Sequence, residues 1–275
     1  MPWYLEQVGP SQTTDAILKG LCFDENGLLV KEYDRIFYDV FEKKGHVYQK
    51  VLRALKGEFK TQAEIKQAIQ YSNSGTLSQV MSHLITAGFV THNKLWSFKT
   101  KRALKQSLYR LSDPYMRFYF NVIEPKRHQI EQGAFQDRSL IQDASMLAHF
   151  GFQMEHLLIQ NRLLFMQTLD IHPSDIVADG PYRQKQNSKQ QGCQIDYLIQ
   201  VSTQTLFLFE FKFKRLELGI DVAANVQEKI KRLKVPRGFS VVPVLCHVGG
   251  VSSELATSNY FYKIIDLGNF LINGK

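Results

Sequence analysis

Ile195-Asp196-Tyr197-Leu198-Ile199 and, after a short polar turn at Ser202-Thr203-Gln204, Leu206-Phe207-Leu208-Phe209-Glu210-Phe211-Lys212 decide how this chain folds. Both runs are strand-like, and strand residues alternate faces. Glu210 and Lys212 therefore point one way, while Phe209, Phe211 and Phe213 point the other. Seating two charges on one face of an oily strand is costly unless they meet partners or a metal. Asp196, one tight turn earlier, can lie beside them. Two carboxylates and an ammonium on one strand pair suit an oxygen-ligated Mg²⁺ (or Mn²⁺) next to a phosphate and an activated water. A buried Asp196–Lys212 ion pair is the structural alternative, but such pairs are weak stability devices.

Working outward, the run Gly151 to Leu158 reads as a helix carrying Glu155, and Ile176 to Gly180 as a strand. Arg183 to Gly192 is a polar, Gln-rich loop. It is either a solvated linker or a DNA contact through Lys185 and Lys189. A helix is predicted from about Asp221 to Leu233, with Gln227 on it, and strands at Phe239 to Leu245 and Tyr262 to Leu267. Strands interleaved with helices in this order predict an α/β domain with a mixed sheet over 151–275.

Upstream, residues 1–45 read as helical pieces without a core of their own. Residues 46–99 predict a winged helix-turn-helix. Its helices run through Val47 to Leu55, from the capping box Thr61-Gln62-Ala63-Glu64 onward, and along Leu77, Val80, Met81, Leu84 and Ile85. A wing is predicted from Phe89 to Phe98, turned at Asn93-Lys94. The third helix offers Ser78, Gln79, Ser82 and His83 to DNA, and the wing offers Lys94, but that helix face has no Lys or Arg to hold phosphates. A DNA reader and a protein–protein spacer both remain open. Residues 100–150 read as a helical connector, opened by Lys101-Arg102 to Leu104, with Asp113-Pro114 as cap and first residue of a helix within it. Its aromatic stripe Tyr115, Phe118 and Tyr119 is read as core.

The 275 residues predict more than one domain. A hydrophobic content of 44% with 12% aromatic residues argues against disorder. The net charge of +8 and pI near 9.2 favour a polyanionic partner or simple solubility. Three scattered cysteines (Cys22, Cys193, Cys246) exclude a zinc-finger spacing and fit a reduced compartment. With no apolar run of transmembrane length and no signal-peptide pattern, no membrane association and a cytoplasmic location are expected.

Asp196, the Glu210-Phe211-Lys212 triplet and the upstream Glu155 resemble the PD-(D/E)XK nuclease superfamily, although Ile195 stands where the motif's proline would be. The resemblance implies a restriction-endonuclease-like domain and a metal-dependent DNA-processing nuclease. Asp196, Glu210 and Glu155 would be metal ligands, Lys212 and Glu155 catalytic groups, and Gln227 a partner of Lys212 or of the phosphate. More widely, the chain resembles the C-terminal region of archaeal-type AAA-like (STAND-class) ATPases. The resemblance rests on Met1-Pro2-Trp3-Tyr4-Leu5, Gly27-Leu28-Leu29 with Glu32, and the run Leu111 to Phe120. On that likeness, residues 1–45 are a helical remnant of the ATPase module. No G-x-x-x-x-G-K-[ST] occurs, so the resemblance implies either a shortened form or a separate ATPase chain as partner. The alternative function is a non-catalytic DNA- or protein-binding effector module. Oligomeric state stays open.

Overall fold

The computed structural model describes residues 4, 6–9, 11–41, 45–137, 139, 140, 144–188 and 190–272. Met1-Pro2-Trp3, Leu5 and the candidate Lys189 lie outside them. The chain forms two compact units, residues 1–92 with 107–150, and residues 93–106 with 151–275.

The first unit is helical. Thr13 caps α1 (Thr14–Cys22) by accepting the Ala16 N–H. Gly27 then allows a tight reversal, since a Cβ there would sit 2.7 Å from the Leu21 carbonyl oxygen. Helices α2 (Leu28–Phe41), α3 (Gly45–Ala54), α4 (Gln62–Ala68) and α5 (Ser74–Thr86) follow. The capping box forms as expected. Thr61 Oγ1 accepts the Glu64 N–H at 3.3 Å, and Glu64 accepts the Thr61 N–H at 2.7 Å. Leu77, Val80, Met81 and Leu84 are all buried.

Asp113 accepts the Met116 N–H at 2.7 Å and starts α6 (Pro114–Phe118), which continues as a π-turn over Tyr119–Ile123. Helix α7 (Arg127–Glu131) ends the series. The stretch read as lacking a core packs on this connector. The Tyr33 ring stacks on Tyr119 at 4.0 Å, and Phe23 meets Phe135 at 5.0 Å.

The expected wing differs in its turn. Strand β1 (Val90–Trp96) runs straight through Asn93-Lys94, the chain reverses over 97–102, and β2 (Ala103–Leu111) returns along residues read as helical. Ser97 and Arg102 close the reversal through the Ser97 N–H to Arg102 carbonyl bond at 3.0 Å. Asn-Gly would have forced a two-residue turn, whereas Asn-Lys does not.

The second unit is a mixed α/β structure. Helix α8 (Ala144–Gln160), which belongs to the first unit up to Phe150, and α9 (Leu163–Thr168) lead to β3 (Ile176–Gln184), β4 (Cys193–Val201), β5 (Thr205–Phe213), α10 (Asp221–Arg232), β6 (Ser240–Val248), α11 (Ser253–Thr257), β7 (Lys263–Asp266) and α12 (Gly268–Ile272). The strands lie in the order β3-β4-β5-β6-β7. Strand β4 runs antiparallel to its neighbours β3 and β5, and β6 and β7 run parallel to β5. Val222, Ala223, Val226 and Leu233 of the α10 region cover one face with Ile195, Leu198, Leu206, Leu208 and Leu245. Leu158, Ile159, Phe165 and Met166 cover the other with Tyr197, Ile199, Phe209 and Val244.

Trp96 and Phe98, in the outer half of the hairpin, belong to the α10-side core. Gln200, fully buried, accepts the Trp96 indole N–H at 2.8 Å and donates to the Phe98 carbonyl at 2.9 Å. No helix among the described residues is long and apolar enough to cross a membrane.

Candidate active site

Strand β5 stays paired with β6 along its whole length, from Thr205–Ser240 to Phe213–Val248. Its ladder with β4 ends at Tyr197–Phe209. On the other side of β4, Gly180 pairs with Leu198 but Tyr182 pairs with Ile195, so β4 spends one residue more than β3 across this step. That bulge, at Asp196-Tyr197, bends the strand where the β4–β5 ladder opens. The Phe211 N–H finds no ladder partner on β4 there and donates instead to Asp196 Oδ2 at 3.0 Å.

Glu210 and Lys212 face α10, on the side of Leu206 and Leu208. The Glu210 side chain is 2% exposed and is held by two ammonium groups. Lys212 Nζ lies 2.7 Å from Oε1, and Lys229 Nζ lies 2.5 Å from Oε2. Lys229 Nζ also stands 3.8 Å from Asp196 Oδ1, so one cation is shared between the two carboxylates. Burial, then the charge of Glu210, pushes the Asp196 carboxyl up to about 6, against the pull of Lys229 and the Phe211 N–H. For Lys229, burial works to lower the pKa, but Asp196 and Glu210 together outweigh it and hold the ammonium above its ordinary value. His247, in register with Lys212 on β6, is buried, and its Nδ1 has no hydrogen-bond partner among the described residues. Burial lowers its pKa, with Asp266 opposing.

The structure thus brings together Asp196, Glu210 and Lys212. Glu155 sits half-buried on α8, and among the described residues no three His, Cys, Asp or Glu side chains are grouped to hold a metal ion. Gln227 is exposed, and the α10 side chain that reaches the carboxylates is Lys229. Two residues apart on a helix is about 200°, so both cannot face the sheet. The position of Lys229 on the sheet-facing stripe, though not its inward turn, was legible in the sequence. It falls three residues after Val226 and seven after Val222, on the apolar stripe.

No protein-family model and no curated protein matches the chain.

Ser78, Gln79, Ser82 and His83 are exposed on α5. Ser78 is engaged within its unit, accepting from Gln62 Nε2 at 2.7 Å and donating to the Ser74 carbonyl, while His83 Nδ1 meets the Tyr48 hydroxyl at 2.7 Å. Lys94 is exposed in mid-strand, and Lys185 is exposed just after β3.

The donor set suits a hard divalent cation. Mg²⁺ is commonly held by one or two carboxylates and keeps several waters. Asp196 and Glu210 already flank a single positive charge, the Lys229 ammonium.

Proposed function

We propose that this chain is a metal-dependent DNA-processing nuclease of restriction-endonuclease-like fold, joined to a winged helix-turn-helix and related to the C-terminal region of archaeal-type AAA-like ATPases. The observation that carries the reading is the sharing of one cation by Asp196 and Glu210, with Lys212 beside them, at the point where the β4–β5 ladder opens. The α5 residues Ser78, Gln79, Ser82 and His83, with Lys94, would then contact DNA, and a separate ATPase chain would be a partner.

A divalent cation, Mg²⁺ or Mn²⁺, would be held by Asp196 and Glu210 and would supply Lewis-acid polarisation of a phosphate oxygen. The rest belongs to the chain's own groups. Lys212 is 30% exposed and tethered to Glu210, so its ammonium stays at the mouth of the site without swinging free. There it would hold the attacking water and offset the negative charge that grows on the phosphate. Lys229 is the competing cation, and its partial exposure gives it room to turn toward solvent and release the carboxylates. The Phe211 N–H fixes the Asp196 carboxylate in place.

A non-catalytic binding module is the second reading. It is favoured by the complete pairing of Glu210 with two lysines and by the lack of a three-ligand group among the described residues. Cleavage of plasmid, single-stranded and branched DNA with Mg²⁺ or Mn²⁺ separates the two. Metal-dependent cleavage that is lost in Asp196→Ala and Glu210→Ala supports the nuclease. Inert wild-type protein that also binds no metal by calorimetry supports the module.

A further inference from the structure

The second unit holds a cavity of about 930 Å³ away from the carboxylates, bordered by the reversal between β1 and β2, the end of β3, the Gln204 turn and residues 234–239. Six cations line it: Lys99, Lys101, Arg183, Lys185, Lys234 and Arg237. No Asp or Glu does. Lys99, Lys101, Lys234 and Arg237 are exposed and make no ion pair among the described residues. A smaller cavity of about 510 Å³ shares Gln190 and Lys234 with the first and adds Lys231 and Arg232, which pair with Glu228 at 3.9 and 3.2 Å; no carboxylate is in its lining among the described residues. The two form one trough.

Part of the lining of the larger cavity is apolar. The Tyr182 ring stacks on Phe98 at 4.8 Å with an interplanar angle of 27°, and Pro236, Phe239 and the exposed Leu104 complete it. Gln106 and Gln204 also line it. Gln184 shapes the wall, since its amide is committed to the Gln191 and Arg232 carbonyls and to the Lys234 N–H.

Like charges gathered round an apolar lining repel one another, and an anion relieves that repulsion. The concave form rejects a flat bilayer. A duplex hides the faces of its bases, whereas a single strand offers flat bases to an apolar lining and phosphates to the cations around it at once. We propose that this trough is a binding site for single-stranded nucleic acid, separate from the carboxylate site. The inference rests on the nucleic-acid reading of the chain but not on cleavage.

The test is fluorescence anisotropy with a short labelled oligothymidylate and a duplex of equal length, in chelator, at about 50 and about 200 mM salt. The full chain is compared with Lys99→Ala/Lys234→Ala/Arg237→Ala, and with Lys263→Ala on the edge strand β7 as control. All the replaced side chains are exposed, and unchanged circular dichroism checks the fold. The triple variant is expected to bind the single strand at least 30-fold more weakly, with a salt slope reduced by about 2, since each phosphate contact contributes about 0.7 on single strands. Lys263→Ala should bind as wild type, and the single strand should be preferred to the duplex. Unchanged affinity in the triple variant, equal loss in Lys263→Ala, or a preference for duplex would each overturn the proposal. If the triple variant binds normally and still cleaves, the trough is wrong and the nuclease reading stands. Trough-dependent binding by a protein that never cleaves supports the trough and removes the nuclease.

Discussion

Asp196→Asn should make the metal-free protein more stable at pH 8, an unusual outcome for a residue of a polar site. The wild-type carboxyl titrates at about 6 in the folded protein against 3.8 unperturbed. Between those values the folded protein holds a proton that the unfolded chain has released, so stability falls as pH rises through this window. Above about pH 6 the whole cost is present. The shift of about 2 units at 1.36 kcal/mol each gives about 3 kcal/mol, an upper figure because the side chain is 19% exposed. Asparagine keeps an acceptor for the Phe211 N–H and cannot ionise. The variant should therefore be more stable than wild type by up to about 3 kcal/mol at pH 8 and about equal to it near pH 4. Urea unfolding in chelator reads this, followed by Trp96 fluorescence in a Trp3→Phe background. A variant that is less stable at pH 8, or a gain of equal size at both pH values, would refute the argument. Under the nuclease reading, added Mg²⁺ should stabilise wild type and leave the variant unmoved.

Glu210→Ala strips Lys212 and Lys229 of their shared partner and should cost about 2 kcal/mol, much of it recovered in Glu210→Ala/Lys229→Met, as a double-mutant cycle would show. Lys212→Ala should keep metal binding by calorimetry while cleavage slows by roughly 10²–10³. Gln200→Leu leaves the Trp96 indole N–H and the Phe98 carbonyl buried without their partner. A loss of about 2–4 kcal/mol is expected in urea unfolding, and a loss under about 0.5 kcal/mol would show that the amide is dispensable.

The carboxylate–lysine strands were legible because alternation and polarity conflict there: Glu210 and Lys212 share a face otherwise taken by Leu206 and Leu208, and charges so placed must meet partners. The caps at Thr61 and Asp113 were legible because they are local chemistry, settled within three residues. The turn of the hairpin was not. Its position depends on Trp96 and Phe98 finding Tyr182 and Gln200 far along the chain, contacts that no local pattern encodes. Lys229 goes unnamed beside Gln227 in the sequence reading for a different reason. A lysine on an apolar stripe reads as a stem that snorkels to solvent, and only the carboxylates beneath it turn the side chain inward. The bulge at Asp196-Tyr197 was likewise invisible, since one extra residue leaves the run Ile195 to Ile199 looking like any other strand.

The hairpin's outer half carries a consequence for how this protein can be divided or inherited. The unit that contains the carboxylate site is not one stretch of gene. A cut after Phe150 yields 151–275 without Trp96 and Phe98, which uncovers the Tyr182 ring and leaves the Gln200 amide with nothing to bond. Moving the boundary back to residue 93 restores the lid but drags along 107–150, which are built into the other core. A single crossover cannot therefore move the carboxylate strands into another protein with their packing intact. Shuffling of this module has to take both units together, or else a replacement hairpin must evolve in the new host.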